Sequence, residues 1–198
     1  MKTLFIGSNN KNKINEIKSI FANNNIFFEI KSPYDFNDDS EPIEDGLTFE
    51  ENSIIKAKYY FDKYNIPCIG EDSGIIIDYF NGLPSIHSKR LLNELNDHDK
   101  NEYILQLMKY VKNRKAKFIT CICYIDQNGN KHIFKGINEG EIALFQKGDE
   151  GFGYDPIFLI PQFNKTEAEL GIEYKNLNSH RYKAICEFIK YIKYEENN

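Results

Sequence analysis

The sequence lacks any apolar run approaching the roughly 20 residues needed to cross a bilayer. Its N-terminal MKTLFIGSNN has too short an apolar stretch for a secretory signal. No membrane partner is therefore expected, and the chain reads as cytoplasmic. It also lacks an excess of basic charge: 25 Lys and Arg against 30 Asp and Glu leave a net charge of -5. Duplex binding draws its affinity from cations clustered on phosphates, so no nucleic-acid partner is expected, although a local site for an anionic ligand fits. Cysteine is scarce, with four in 198 residues: Cys68, Cys121, Cys123 and Cys186. Alternation along FITCICYI puts Cys121 and Cys123 on one strand face, which reads as buried reduced thiols, since metal partners at a matching spacing are missing. Internal repeats, low-complexity tracts and long linkers are missing too. The chain, 41% hydrophobic, is read as a single domain over 1–198.

What is present alternates between strand and helix patterns. TLFIGS (3–8) reads as a buried strand that enters the polar turn SNNKNK, after which Ile14, Ile17, Ile20 and Phe21 recur at helical spacing. A strand over about 27–32 leads to the acidic loop SPYDFNDDSEPIEDG, and Thr48 opens a helix with Glu51 as its capping-box partner. In YNIPCIGEDSGIIIDYF (64–80) two β-branched runs flank Glu71 and Asp72, and Gly74 suggests strand, carboxylate turn and strand. The loop NGLPSIHSKR follows, then a helix over about 98–112 with Tyr103, Leu107 and Tyr110 on one face. AKFITCICYI and KHIFKGINEGEIAL flank Asn128 and Gly129, which predicts a long antiparallel pair with a tight turn. KGDEGFGYDPIFLI is a glycine-punctuated loop entering a short strand, and a helix from about Ser179 to Tyr194 closes the chain. The expected class is α/β with a mixed, twisted sheet and flanking helices.

Four polar clusters interrupt these elements. Ser8, Asn9, Asn10, Lys11, Asn12 and Lys13 lie between a strand and a helix N-terminus, where free N–H groups, the helix dipole and a lysine suit phosphate. They do not form a G-x-x-x-x-G-K-[ST] loop, and such a turn read alone is a polar cap. Glu71 and Asp72, with Glu44 from the acidic loop, offer the hard oxygen ligands that Mg²⁺ prefers, against the plainer reading of a solvated strand end. Adjacent side chains on a strand point to opposite faces, so Glu71 and Asp72 share one metal only if the chain turns there. In EGFGYDP, glycines flank aromatics, and Phe152 and Tyr154 suit stacking on a planar ring, or else are core residues after a tight turn. Lys175, Ser179, His180 and Arg181 offer donors for base edges, a carbonyl or phosphates. Together the clusters are the parts of a Mg-nucleotide site.

SNNKNK, GLTFEENSIIKAK, EDSGIIID, GFGYDPIF and NSHR, in this order and at these separations, resemble the inosine triphosphate pyrophosphatase family over residues 4–190. The resemblance implies an elongated, two-lobed homodimeric α/β protein with its active site in a central cleft. It also implies Mg²⁺-dependent cleavage of ITP, dITP and XTP to the monophosphate and pyrophosphate. By resemblance, Asp72 is the catalytic acid, with Glu44, Glu71 and Asp72 around the metal. Ser8, Asn10, Lys13 and Lys56 fall on the triphosphate, and Ser73 in the substrate site. Phe152, Gly153, Tyr154, Asp155, Lys175, His180 and Arg181 fall where the family holds base and sugar. Three departures stand out: Glu71 where many members have Asp, Gly82-Leu83-Pro84-Ser85 where the family often reads Gly-x-Pro-Gly, and Asn9 in a glycine position, for which left-handed backbone is expected. Rival readings are a pyrophosphatase for ordinary or otherwise modified triphosphates and a nucleotide sensor without chemistry.

Overall fold

The computed structural model describes residues 2–87 and 94–196, so the end of the expected loop NGLPSIHSKR, from Ser88, lies outside the described residues. Seven strands, β1 (Thr3–Gly7), β2 (Glu29–Lys31), β3 (Cys68–Ile77), β4 (Lys115–Ile125), β5 (Lys131–Ile142), β6 (Phe158–Ile160) and β7 (Lys165–Thr166), form one sheet in the order β2-β1-β3-β4-β5-β6-β7. β1 is parallel to β2 and β3, whereas β6 is antiparallel to β5 and β7, so the sheet is mixed as expected. The helices are α1 (Lys11–Asn23), α2 (Phe49–Tyr64), α3 (Asp97–Leu107), α4 (Glu167–Asn178) and α5 (His180–Glu196).

The chain divides into two compact units, the first made of Met1–Asp72, Thr120–Gly136 and His180–Asn198. Its main core packs Ile14, Ile17, Ile20 and Phe21 of α1 and Ala184, Ile185, Phe188 and Ile189 of α5 against Leu4, Ile6, Ile69 and Ile122 of the sheet. The opposite face carries α2, whose Ala57 packs with Cys123 and Ile125. Gly70 permits that approach: a methyl group there would lie 2.3 Å from the Ala57 nitrogen and the Ser53 carbonyl oxygen. Cys68, Cys121 and Cys123 are buried free thiols, and burial raises their pKa values, those of Cys121 and Cys123 to about 11.

The second unit comprises Ser73–Ile119 and Ile137–Ser179. Its core joins Ile75 and Ile77 to Ile104, Leu105 and Met108 and to Ile142, Tyr154, Ile157 and Phe158. Here the α3 expectation needs correction, because Tyr103, Leu107 and Tyr110 are exposed and the inward stripe is Asn101, Ile104, Leu105 and Met108. That stripe has ideal i, i+3, i+4, i+7 spacing, but a polar residue at its head hides it from an apolar count. α4 was not anticipated from sequence. Gly171, at φ 85° and ψ 173°, breaks it in the middle, so no helical period runs through it.

Several local expectations are refined. β3 runs unbroken through Glu71, Asp72, Ser73 and Gly74, so the expected carboxylate turn is not there. β4 and β5 are sheet neighbours, but their connection spans 126–130, with the Asp126 carboxylate accepting from the N–H groups of Asn128 and Asn130. Thr48 caps α2 by accepting from the Glu51 N–H at 3.1 Å. Glu51 reaches back to the Leu47 N–H at 2.6 Å instead of closing the box on Thr48. Ser85 takes a left-handed φ of 50°, the conformation a glycine would adopt without strain. Asn9 is not among the positive-φ residues, so it replaces glycine without left-handed backbone.

Candidate active site

The polar turn after β1 is built by its own side chains. Ser8 Oγ accepts from the Asn10 N–H, and Asn10 caps α1 by accepting from the Lys13 N–H, both at 3.1 Å. Asn9 ties the turn to the acidic loop: its amide donates to Ser40 O at 3.4 Å, and its carbonyl accepts from the Tyr34 hydroxyl at 2.5 Å. Lys11 lies 5.0 Å from the Tyr34 ring centroid, while Asn10, Lys11 and Asn12 are exposed in the helix's first turn. These N–H groups retain the character of a helix N-terminal anion site.

Because β3 does not turn, its pleat separates the two acids. Glu71 shares a face with Ile69 and meets α1 and α5, whereas Asp72 shares a face with Gly70 and meets α2. Glu71 is 2% exposed. Its carboxylate receives Lys13 Nζ at 2.8 Å, Arg181 Nη2 at 3.1 Å and the Thr120 hydroxyl at 3.4 Å. Burial alone would raise its pKa, but Arg181 and Lys13 outweigh burial and hold the carboxyl well below the usual range. Arg181 extends the network to Glu16, with Nη1 2.6 Å from Oε2.

Asp72 has a different environment. Asn52, wholly buried on α2, donates to its Oδ2 at 3.2 Å, and Lys56 Nζ lies 3.3 Å from its Oδ1. Lys56 also pairs with Glu44 at 2.9 Å and donates to the Glu71 carbonyl oxygen at 3.2 Å. Burial raises the Asp72 pKa; Lys56 and Lys13 oppose this, and Glu44 and Glu71 reinforce it. The Lys56 ammonium thus bridges two acidic side chains at a place where a cation is electrostatically favoured. Among the described residues, no three His, Cys, Asp or Glu side chains are gathered to hold a metal, so Glu44, Glu71 and Asp72 do not form one ligand set. Glu44 is positioned by its loop. Gly46 N–H donates to Asn52 Oδ1 at 2.9 Å, and Asp38 accepts from Lys63 at 2.8 Å and from the Tyr64 hydroxyl at 2.5 Å.

The second unit contains the glycine loop. Asp155 Oδ2 accepts from the Phe152 N–H at 2.8 Å and from Lys175 Nζ, which lies 4.0 Å from the Phe152 ring centroid. Phe152 keeps partial exposure, but Tyr154, expected as a second stacking ring, is 9% exposed and belongs to the core. Ser73 is partly exposed in β3. In the first unit His180 begins α5 at 3% exposure, close to Gly136, where a methyl group would lie 1.9 Å from the His180 carbonyl oxygen. Arg181, expected among the base-binding groups, is 1% exposed, and its guanidinium is held by Glu16 and Glu71.

Glu16 and Asn52 were not singled out from sequence. Each had a signal, because Lys13 and Glu16 stand three apart on α1, and Asn52 and Lys56 four apart on α2.

The Ham1 family model matches residues 4–191. A Borreliella burgdorferi protein named dITP/XTP pyrophosphatase is 45% identical over 201 residues, covering 97% of this chain and 96% of that protein. A Flavobacterium johnsoniae protein of the same name is 40% identical, with 96% of each chain covered. The structure of the Staphylococcus aureus Ham1 protein superposes with a TM-score of 0.86 at 35% identity, covering 98% of this chain and 100% of that one. With nearly the whole sequence inside the family match and the fold in agreement with it, this chain belongs to the Ham1 family.

Proposed function

We propose that the chain hydrolyses non-standard purine nucleoside triphosphates, dITP, ITP and XTP, to the monophosphate and pyrophosphate, with residues 1–198 acting as one domain. The observation that carries this reading is the unequal state of two neighbouring carboxylates. Glu71 is neutralised by Arg181 and Lys13, whereas Asp72 sits beside Lys56 and Glu44 with its pKa raised. The names of the relatives point the same way. A pure sensor would have no use for a buried carboxylate set beside a lysine suited to phosphate.

Asp72 accepts a hydrogen bond from the attacking water and orients its lone pair toward the α phosphorus. The new bond is water oxygen to phosphorus, and the bond broken is phosphorus to the bridging oxygen, whose electron pair leaves with pyrophosphate. The water proton passes to Asp72 or to solvent. Lys56 and Lys13 place positive charge against the phosphate chain, and the exposed first turn of α1 binds its outer oxygens.

The residues present fit a divalent cation. Four carboxylates, Glu16, Glu44, Glu71 and Asp72, face three cations, Lys13, Lys56 and Arg181, so the cluster has no positive surplus to meet a polyanion. Glu44 and Asp72, both on Lys56, are the oxygen donors that would hold Mg²⁺. When bound, Mg²⁺ supplies charge neutralisation for the departing pyrophosphate. Glu71, committed to Lys13 and Arg181, supports the cluster and does not ligate.

The base is assigned to Phe152 for stacking and to Lys175, Asp155 and His180 for polar recognition. A donor placed for a 6-oxo group is left unpaired by the 6-amino group of adenine, which is where large discrimination originates. The setting we propose is a cytoplasmic homodimer without nucleic-acid partners. Among the described residues no helix is long and apolar enough to cross a membrane.

The bond cleaved tests the reaction. Hydrolysis of ITP in ¹⁸O-water with Mg²⁺ is expected to put the label in IMP and none in pyrophosphate. Label in pyrophosphate, or release of orthophosphate, would refute attack at the α phosphorus.

A further inference from the structure

The loop carrying Phe152 is fastened to α3 by hydrogen bonds to its backbone. Gly153 takes a left-handed φ of 65°, and nothing lies within 4 Å of where a methyl group on it would stand. A side chain at this position would meet open space, so the turn is not wedged here. Its backbone is instead gripped from α3: Asp97 Oδ2 accepts from the Gly153 N–H at 2.9 Å, and Asn101 Nδ2 donates to the Gly153 carbonyl at 3.0 Å. Asp97 and Asn101 are four residues apart, on one helix face. With Asp155 holding the Phe152 N–H at 2.8 Å, the peptide planes on both sides of the Phe152 Cα are fixed by carboxylates.

Asn101 is an expensive choice at its position. It heads the buried stripe of α3 at 1% exposure, where an apolar side chain would avoid desolvating an amide. Its amide serves Gly153 O and, at 3.3 Å, Gln146 Oε1. A buried amide whose shorter bond goes to the ligand-facing loop is explained by what it orients.

We propose that Asp97 and Asn101 are positioning residues that set the orientation of the Phe152 ring, and through it the discrimination among purine bases. The inference rests on the reading of Phe152 as the base platform. The tilt of the stacked ring sets where the base edge meets the polar groups that read it, so loosening Gly153 should blunt selectivity before it slows chemistry.

The test compares kcat and KM for ITP and GTP in Asp97→Ala, Asn101→Ala and Phe152→Ala. Both α3 variants are expected to lower the ITP/GTP ratio of kcat/KM by about fivefold or more, through KM, with kcat on ITP within about twofold. Asp97→Asn keeps an acceptor oxygen and should restore the ratio. Adding Asp97→Ala to Phe152→Ala should change little further, because the two act through one ring. If Phe152→Ala collapses the ratio while Asp97→Ala and Asn101→Ala keep it, or slow both nucleotides equally, the positioning role is wrong. If Phe152→Ala itself leaves the ratio unchanged, the platform reading falls and this inference with it. Should Asn101→Ala fail to fold, exposed Asp97 carries the same readout.

Discussion

Glu71 and Asp72 share a charge and a peptide bond, yet the pleat of β3 turns one toward α1 and α5 and the other toward α2. Their expected phenotypes differ accordingly. Asp72→Asn should lower turnover by about 10²-fold or more while leaving KM for ITP within a few-fold, as steady-state kinetics would show. Near-normal turnover would remove Asp72 from the chemistry. Glu71→Gln should instead cost stability, because it leaves Arg181 and Lys13 without their shared carboxylate at a buried site, a loss of about 3–5 kcal/mol. Urea denaturation measures it, and an unchanged midpoint would show that Glu71 is not the structural acid we take it to be. The sequence made both carboxylates conspicuous. Resemblance singled out Asp72 as the catalytic acid, but that Glu71 is a buried ion-pair partner could not be read, because that required knowing that the strand does not turn and that Arg181, 110 residues away, comes to meet Glu71.

At the scale of elements, the site depends on how closely α2 approaches β3. Lys56 and Asn52 ride on α2, and Gly70 lets that helix lie against the strand. Gly70→Ala would drive a methyl group into helix backbone, with an expected loss of about 1–3 kcal/mol and of most turnover, since Lys56 and Asn52 would be carried off Asp72. Thermal denaturation and an ITP assay of the same sample check both parts, and a stable variant of normal activity would contradict this coupling. Elements with one clean period were legible: β1, α1 and the strands around Asn128 and Gly129. α3 was legible as a helix but not in its buried face, which carries a polar Asn101, and α4 was not legible, since Gly171 interrupts it. Tyr154 and Arg181 show the same limit for the site, because a residue type suited to ligand binding is equally suited to a core or a buried ion pair.

For the whole molecule, the mixed sheet could be read from interleaved strand and helix patterns with one hairpin, and the family from five short motifs in order. Of the supporting residues, Glu16 and Asn52 left only a helical spacing to a lysine, and the partners of Glu16, Asn52, Asp97 and Asn101 are ones that only the fold brings near. The central claim concerns which triphosphates this assembly selects and what it does to them. It is tested most directly by pyrophosphate release with Mg²⁺ from ITP, XTP, GTP and ATP assayed in parallel. The expected result is release from ITP and XTP with kcat/KM at least about 10²-fold above that for ATP, and GTP well below both. Comparable release from ATP, or tight binding of ITP without release, would contradict it.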